Sequence, residues 1–320
     1  MTILLAILVA LLWDGLLGEP PSWLHPVVAM GKLLGIIGRK IAPHVEKDSD
    51  WLHFMLGAGA WIFLAAVFAT VYAALQWTAS VLLFPSWWWQ GILLGVWLKP
   101  LLSWRMLRDE VLAVHTALQQ SLQAGRERLS WLVSRDTATL DAGTVRESVI
   151  ETLAENLSDS VVAPLFWFVV AGLPGVALYR FANTADAMWG YPGWRGHGQE
   201  RRYWQWAGKW AARADDVLNW IPARITALML LLVARRVVMA QLLRDAHVTP
   251  SPNGGWPMGA MAQILGVRLG KPGVYVLNPH GETPQDVHVQ QAVTIAARTV
   301  RWLTAIVLAA MILMIGTALA

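Results

Sequence analysis

Long apolar runs without charge are the feature that most constrains this chain. Residues 56–75, 82–98 and 302–319 contain no Asp, Glu, Lys or Arg. A helix rises about 1.5 Å per residue, so runs of roughly this length cross the ~30 Å hydrocarbon core of a bilayer. The sequence therefore predicts three transmembrane helices, the first two forming a hairpin and the third anchoring the C-terminus.

The composition agrees with a lipid-exposed surface. The chain is 56% hydrophobic and only 14% charged, with a mean hydropathy of +0.45, which is too apolar for an ordinary globular surface. We predict an all-α fold, a polytopic α-helical integral membrane protein with cytoplasmic amphipathic helices, forming a single membrane-embedded domain over residues 1–320. The absence of cysteine excludes disulfides, thiolate metal sites and thiol nucleophiles.

Basic residues lie between the apolar runs and not in blocks, a pattern that favours membrane orientation and anionic lipid as a partner, and no nucleic acid. Lys99, Arg105 and Arg108 follow the second predicted crossing, which predicts that this side is cytoplasmic. The first apolar run, residues 3–12, lacks a basic flank and a small-residue cleavage pattern, so we expect it to be retained.

The middle of the chain leaves two alternatives open. The apolar runs at residues 161–170 and 225–233 are short, which is typical of re-entrant or bundle-buried helices, although two tilted spans fit as well. Apolar residues recur at helical spacing between Leu107 and Leu122 and predict an amphipathic helix.

Four carboxylates recur every fourth residue at Glu147, Glu151, Glu155 and Asp159. On a helix they share one face, where like charges repel. A compensating cation is therefore expected, either Mg²⁺ or a basic neighbour. A solvated acidic helix face is the alternative.

Two further clusters carry oxygen ligands and charge. Asn183 and Asp186 are three residues apart and would share a helical face suited to a hard cation, or would serve as a helix cap or turn. Asp215, Asp216 and Asn219 precede apolar sequence that also holds Arg224. Ionisable groups at such a position indicate function, the alternative being a salt-bridged helix start with an arginine extended to the membrane interface.

Two turns complete the set. The glycine-rich stretch at residues 251–262 leads into a helical pattern, and its backbone N–H groups could receive a phosphate, although it has no Walker A pattern and could be a simple turn. Asp14, Glu19 and His25 flank prolines in a rigid polar turn. A lone histidine is more often structural than ligating, and we expect that of His25.

In this order the clusters resemble the adenosylcobinamide-phosphate synthase family of cobalamin biosynthesis, the CobD/CbiB type of membrane protein. The resemblance extends from about residue 14 to about residue 270. It rests on residues 14–19, 25–27, 151–156, 159, 163–166, 183–191, 212–216, 219–224 and 251–253.

The resemblance implies a reaction. The family joins the free propionate carboxylate of adenosylcobyric acid to the amine of aminopropanol or its phosphate, with ATP as the energy source. It implies ATP and Mg²⁺ as cofactors, a corrinoid as substrate, and a multi-pass protein of the bacterial inner membrane whose active site faces the cytoplasm. Whether a complex forms with other late corrin-assembly enzymes is left open.

The resemblance also implies roles for the clustered residues. Carboxylates would hold the metal or act as bases, arginines would hold phosphates, and polar side chains would orient amide or phosphate oxygens. The catalytic candidates are Glu151, Glu155, Asp159, Asp215 and Asp216. The metal candidates are Glu155, Asp159, Asp186 and Asp215. The cofactor-binding candidates are Asn156, Arg180, Asn183, Arg213, Asn219, Arg224, Ser251 and Asn253.

The chain departs from the family pattern at Met258, where an acidic residue is common, at residues 271–275, and in the Trp- and Arg-rich residues 194–210. The rival functions are a membrane transporter and a non-catalytic membrane paralogue. No inverted repeat supports a transporter, and intact acidic clusters argue against a paralogue that has lost catalysis.

Overall fold

The computed structural model describes residues 1–83, 86–196 and 198–319. These residues confirm the predicted all-α membrane fold, with four short strands in two antiparallel pairs. The helices are α1 (Thr2–Leu17), α2 (Pro26–Ile41), α3 (Trp51–Thr78), α4 (Trp87–Leu98), α5 (Trp104–Gln120), α6 (Leu122–Leu129), α7 (Ala142–Leu157), α8 (Ala163–Trp189), α9 (Lys209–Leu218), α10 (Trp220–Ala234), α11 (Met239–Asp245), α12 (Gly255–Leu265) and α13 (Asp286–Leu319). The strands are β1 (Trp194–Arg195), β2 (Arg202–Tyr203), β3 (Leu269–Lys271) and β4 (Tyr275–Leu277).

The chain forms two compact units, each built from two separate stretches. The first unit comprises Met1–Leu102 and Pro164–Asn219, and the second comprises Ser103–Ala163 and Trp220–Ala320. The single domain expected from the sequence stays a prediction, because compactness does not show whether the units fold independently.

Three helical stretches of the described residues are long and apolar enough to cross a membrane: Trp51–Val81, Ala142–Trp189 and Asp286–Thr317. The first and third contain the predicted crossings at residues 56–75 and most of 302–319. In the third, only 11% of the apolar window is buried within the protein, which leaves most of its side chains available to lipid.

The predicted second crossing at residues 82–98 includes residues outside the described part of the chain, so it stays a prediction. Phe84 and Pro85 lie outside the described residues, and the remaining helix, α4, has 12 residues, about 18 Å at the usual helical rise. It is therefore shorter than the hydrocarbon core. Helix α4 packs along α1 within the first unit, and the predicted hairpin of two spans stays a prediction.

The short apolar run at residues 161–170 belongs to a much longer helical stretch. A π-helical turn, Ser158–Val162, joins α7 to α8 without a break. Further on, Gly172 has φ of 65° and Pro174 follows, so the chain kinks there. The Leu173 N–H released by the kink donates to Gln76 Oε1 at 2.8 Å, which satisfies a backbone donor in apolar surroundings.

The second short run, residues 225–233, lies in α10, and its bent junction with α9 fits either a broken span or a re-entrant loop, so the two alternatives stay open. Helices α9 and α10 meet at Asn219 with a bend of 47°, and together they satisfy the length and hydropathy of a single span. The predicted amphipathic helix is confirmed as α5, which buries Leu107, Val111, Val114 and Leu118.

Helix α7 is central to the second unit. The side chain of Asp141 caps it by accepting from Thr144 N–H at 2.7 Å, and this bond holds the pKa of Asp141 below its ordinary value. The helix packs against α5, α12 and α13. Its buried face therefore has to accommodate the carboxylates that the sequence places there.

Candidate active site

The acidic face of α7 is neutralised by arginines in the second unit. Glu147 and Glu151 are only 4% and 2% exposed. Arg268 Nη2 lies 3.1 Å from Glu147 Oε1, and Arg135 Nη2 lies 3.1 Å from Glu151 Oε2. The expected compensating cations are basic neighbours at these two positions, because a buried carboxylate requires a partner.

Arg135 and Tyr275 are site residues that sequence reasoning missed. Arg135 lies in the irregular segment between α6 and α7, where no periodicity marks it. Tyr275 begins β4, in the segment that departs from the family pattern. Burial, together with the neighbouring Glu151 carboxylate, raises the pKa of the Tyr275 hydroxyl well above its usual range, so this hydroxyl is a permanent donor.

Glu155, one turn further along α7, faces the start of α12. A Cβ added at Gly254 would lie 3.0 Å from Glu155 Oε1, so glycine permits this close approach. Asp159 falls in the π-helical turn, a deviation that often accompanies functional sites. The amide of Asn156 donates to Thr152 O at 3.0 Å and thus bonds to its own helix.

Near the same end of α12, an arginine of α10 is held between two tryptophans. The Arg224 guanidinium lies 4.2 Å from the Trp220 ring centroid and 4.7 Å from that of Trp256. It donates to Asn253 Oδ1 at 3.2 Å. Ser251 Oγ accepts from the Asn253 N–H at 3.2 Å and shapes the turn. This arrangement fixes a guanidinium beside a helix N-terminus, which is a setting for anions.

In the first unit, α8 and α9 bring Asp215 together with two amides. Asn219 Nδ2 donates to both carboxylate oxygens of Asp215, at 3.1 and 3.0 Å, and Asn183 Nδ2 lies 3.4 Å from Oδ1. The Tyr179 hydroxyl donates to Asn219 Oδ1 at 2.8 Å. Arg180 donates to Asn183 Oδ1 at 3.4 Å. The sequence clusters at residues 180–186 and 213–219 thus form one hydrogen-bonded group.

Not every candidate joins that group through a described hydrogen bond. Arg213 is exposed. Asp186 lies inside α8, so a helix-cap role is excluded, and a Cβ at Gly190 would overlap Asp186 Oδ1. Asp216 is close enough to Asp215 for their charges to interact.

The N-terminal polar turn forms a buried ion cluster with a lysine. Lys99 Nζ lies 3.1 Å from Asp14 Oδ1 and 2.8 Å from Glu19 Oε2, and His25 Nε2 lies 3.2 Å from the same Glu19 oxygen. Burial alone would raise the pKa of Glu19, but the contacts with His25 and Lys99 outweigh it and hold the pKa below its ordinary value. Lys99 is 1% exposed, so its ammonium belongs to this cluster, and the cytoplasmic side that it helped to predict stays a prediction.

The donor set admits Mg²⁺ only in combination with other ligands. Among the described residues, no three His, Asp or Glu side chains converge on one point. Asp215 is held by amides, and Glu151 is paired with an arginine. Mg²⁺ in nucleotide sites commonly takes one or two carboxylates plus phosphate oxygens and water. Glu155 and Asp159 fit that pattern, and their metal role stays a prediction.

These features define an α-helical membrane protein whose buried charges are concentrated in a few paired clusters. The CobD/Cbib protein family model matches residues 7–312. The chain is 39% identical to the probable cobalamin biosynthesis protein CobD of Methanothermobacter thermautotrophicus, covering 85% of each chain. It is 38% identical to the cobalamin biosynthesis protein CobD of Photorhabdus laumondii, covering 83% of this chain and 82% of the relative. It is 39% identical to that of Chromobacterium violaceum, covering 96% of each.

The chain belongs to the CobD/Cbib protein family. No solved structure matches it.

Proposed function

We propose that this protein acts in cobalamin biosynthesis as an ATP-dependent amide-forming enzyme. It joins the propionate carboxylate of adenosylcobyric acid to the amine of aminopropanol or its phosphate. Family membership supports the pathway. The half-buried Arg224, stacked between two tryptophans at the start of α12 with Glu155 facing the same turn, is the observation that carries the ligase chemistry.

The reaction requires an activated carboxylate, because an ionised carboxylate does not acylate an amine. Transfer of the γ-phosphoryl group of ATP to the propionate forms an acyl phosphate and ADP. Attack by the amine then forms the C–N bond and breaks the C–O bond to phosphate. The sum is carboxylate, ammonium and ATP giving amide, ADP, phosphate and one proton.

The second unit offers groups for the phosphates. Arg224 presents a rigid guanidinium, Asn253 fixes it, and the N–H groups at the start of α12 favour an anion. The buried indole N–H of Trp256 has no hydrogen-bond partner among the described residues and can donate to a phosphate oxygen. Glu155 and Asp159 would hold Mg²⁺, which would neutralise charge that develops on the transferred phosphoryl group.

The remaining assignments extend this proposal. Asp215, Asp216, Asp186, Arg180 and Asn183 in the first unit would bind or orient substrate groups. The three candidate spans support a multi-pass protein of the inner membrane, and a cytoplasmic-facing site would give direct access to ATP. A transporter has no observation that favours it over the enzyme.

The test is an assay of the purified protein in detergent with adenosylcobyric acid, Mg²⁺, ATP and either aminopropanol or its phosphate, with products followed by mass spectrometry. The propionate carboxylate carries ¹⁸O. We expect amide and ADP, with one ¹⁸O atom transferred to inorganic phosphate. Label in AMP would indicate an adenylate and contradict the acyl phosphate. Folded protein that forms no amide with either amine would overturn the proposal.

A further inference from the structure

In one ion pair of the second unit, each partner uses only one of its two terminal atoms in a hydrogen bond. Arg135 donates from Nη2 to Glu151 Oε2 at 3.1 Å, an end-on contact. Arginine and carboxylate commonly form two parallel hydrogen bonds. Here Arg135 Nη1 and Glu151 Oε1 are both buried and have no hydrogen-bond partner among the described residues.

The neighbouring pair on the same helix shows that this is not a general property of α7. Glu147 lies one turn earlier and contacts Arg268 at the same distance, 3.1 Å. No buried atom of that pair lacks a partner within the described chain, and the Arg268 side chain is 47% exposed, so water can reach it. The Arg135 side chain is only 18% exposed and that of Glu151 only 2%.

A buried donor and a buried acceptor without hydrogen-bond partners cost free energy unless another molecule satisfies them. Glu151 Oε1 can accept a hydrogen bond from an N–H group, and Arg135 Nη1 can donate one to an oxygen. A primary ammonium with an oxygen on the adjacent carbon offers both groups at short separation. Aminopropanol and its phosphate share that chemistry.

We propose that Arg135 and Glu151 form the subsite for the amine substrate. This inference rests on the proposed amide-forming function and identifies where its second substrate binds. Glu151 Oε1 receives the ammonium, and Arg135 Nη1 donates to the oxygen on the neighbouring carbon. The Tyr275 hydroxyl faces the same carboxylate. It donates to Met258 Sδ at 3.8 Å, and sulfur is a weak acceptor.

The subsite also gives Glu151 a chemical role. An ammonium has no lone pair, so one proton must leave before the nitrogen attacks. Glu151 accepts that proton, the nitrogen lone pair forms the C–N bond to the acyl carbon, and the C–O bond electrons leave with phosphate. A second proton leaves the nitrogen as the amide forms and is taken up by the departing phosphate. Arg135 sets specificity through the substrate oxygen and takes no proton.

The first experiment compares three amines: 1-amino-2-propanol, its phosphate, and propylamine, which lacks the oxygen. Arg135→Lys keeps a charge beside Glu151 and removes the second N–H of the fork. We expect it to raise KM for the two oxygenated amines by about tenfold to a hundredfold, the range of one charge-assisted hydrogen bond. KM for propylamine and kcat should change less than about threefold by the same reasoning.

Arg268→Lys is the matched control, because it alters the other arginine–glutamate pair on α7. It should leave the ratio of KM values between the oxygenated amines and propylamine unchanged. A Glu151→Gln variant should lower kcat by about a hundredfold or more, as expected for loss of a positioned base, with a smaller change in KM. The relative size of the Arg135→Lys effect on the alcohol and on the phosphate identifies which oxygen the arginine contacts.

Calorimetric titration of each amine into the folded, detergent-solubilised protein separates this inference from the proposed function. If no amide forms but aminopropanol or its phosphate binds wild type more tightly than Arg135→Lys, the subsite stands and the ligase fails. If amide forms and Arg135→Lys retains the wild-type preference for oxygenated amines, the subsite is overturned. Equal affinities of wild type and Arg135→Lys for the amines would also overturn the subsite. In that case buried water would be the partner of Arg135 Nη1 and Glu151 Oε1.

Discussion

Replacing Lys99 with methionine removes the ammonium that lies 3.1 Å from Asp14 Oδ1 and keeps most of the bulk of the side chain. Lys99 and Asp14 are each 1% exposed, so bulk water cannot replace the lost ammonium beside the carboxylate. Removing one partner of a buried ion pair costs about 3–5 kcal/mol, because the remaining charge is uncompensated. We expect the free energy of unfolding to fall by that amount.

The assay is denaturant unfolding in detergent micelles, followed by the fluorescence of the 20 tryptophans. Lys47→Met is the matched control. Lys47 lies 3.6 Å from Asp50, but its side chain is 52% exposed, so its loss should cost less than about 1 kcal/mol.

A charge-balanced variant, Lys99→Met with Asp14→Asn and Glu19→Gln, should recover much of the stability, because no buried charge then lacks a partner. If Lys99→Met costs no more than Lys47→Met, the cluster does not hold buried charges and the argument fails.

Three further predictions concern other parts of the chain. Gly57→Ala should lower the free energy of unfolding by about 1–3 kcal/mol, because its Cβ would overlap a backbone carbonyl before α9. In the same helix, the Cβ of Gly59→Ala meets nothing within 4 Å, so this variant should raise the free energy of unfolding by up to about 1 kcal/mol. Denaturant titrations of the two variants measure both changes. The pKa of Glu19 is below its ordinary value of 4.5, so its contribution to stability is present above pH 4.5 and is lost as pH falls through the folded pKa. In Glu19→Gln, the free energy of unfolding should therefore depend less on pH below 4.5. Arg224→Lys should weaken ATP binding about tenfold, as measured by calorimetry, because the stacked guanidinium is lost. Arg213 is exposed, so Arg213→Lys should leave ATP binding unchanged. Equal effects of the two variants would contradict the assignment of Arg224 to the phosphates.

The first and third membrane spans could be predicted because apolar run length is a local property. The acidic stripe of α7 could be predicted for the same reason, since helical periodicity places residues four apart on one face. Its partners could not. Arg268 is 121 residues from Glu147 and Lys99 is 80 residues from Glu19 in the sequence, and no local pattern relates residues that far apart.

Local patterns also misled where a break or a continuation depended on packing. The run at residues 161–170 reads as short because Gly172 and Pro174 follow it, yet the Gln76 side chain satisfies the backbone there and the chain kinks and continues. Lys99 follows an apolar run, as a charge at a membrane surface does. Only the position of α4 beside α1 places that ammonium among two carboxylates.

The sequence by itself determined the helical membrane class, the candidate polar residues and the family resemblance, because each depends on residue type and short-range order. The tertiary structure decided which charges are buried, which arginine pairs with which carboxylate, and that Arg135 and Glu151 each keep one atom open. The physical reason is that ion pairing between distant segments depends on how helices pack, and the cost of burying an unpaired charge then selects one arrangement.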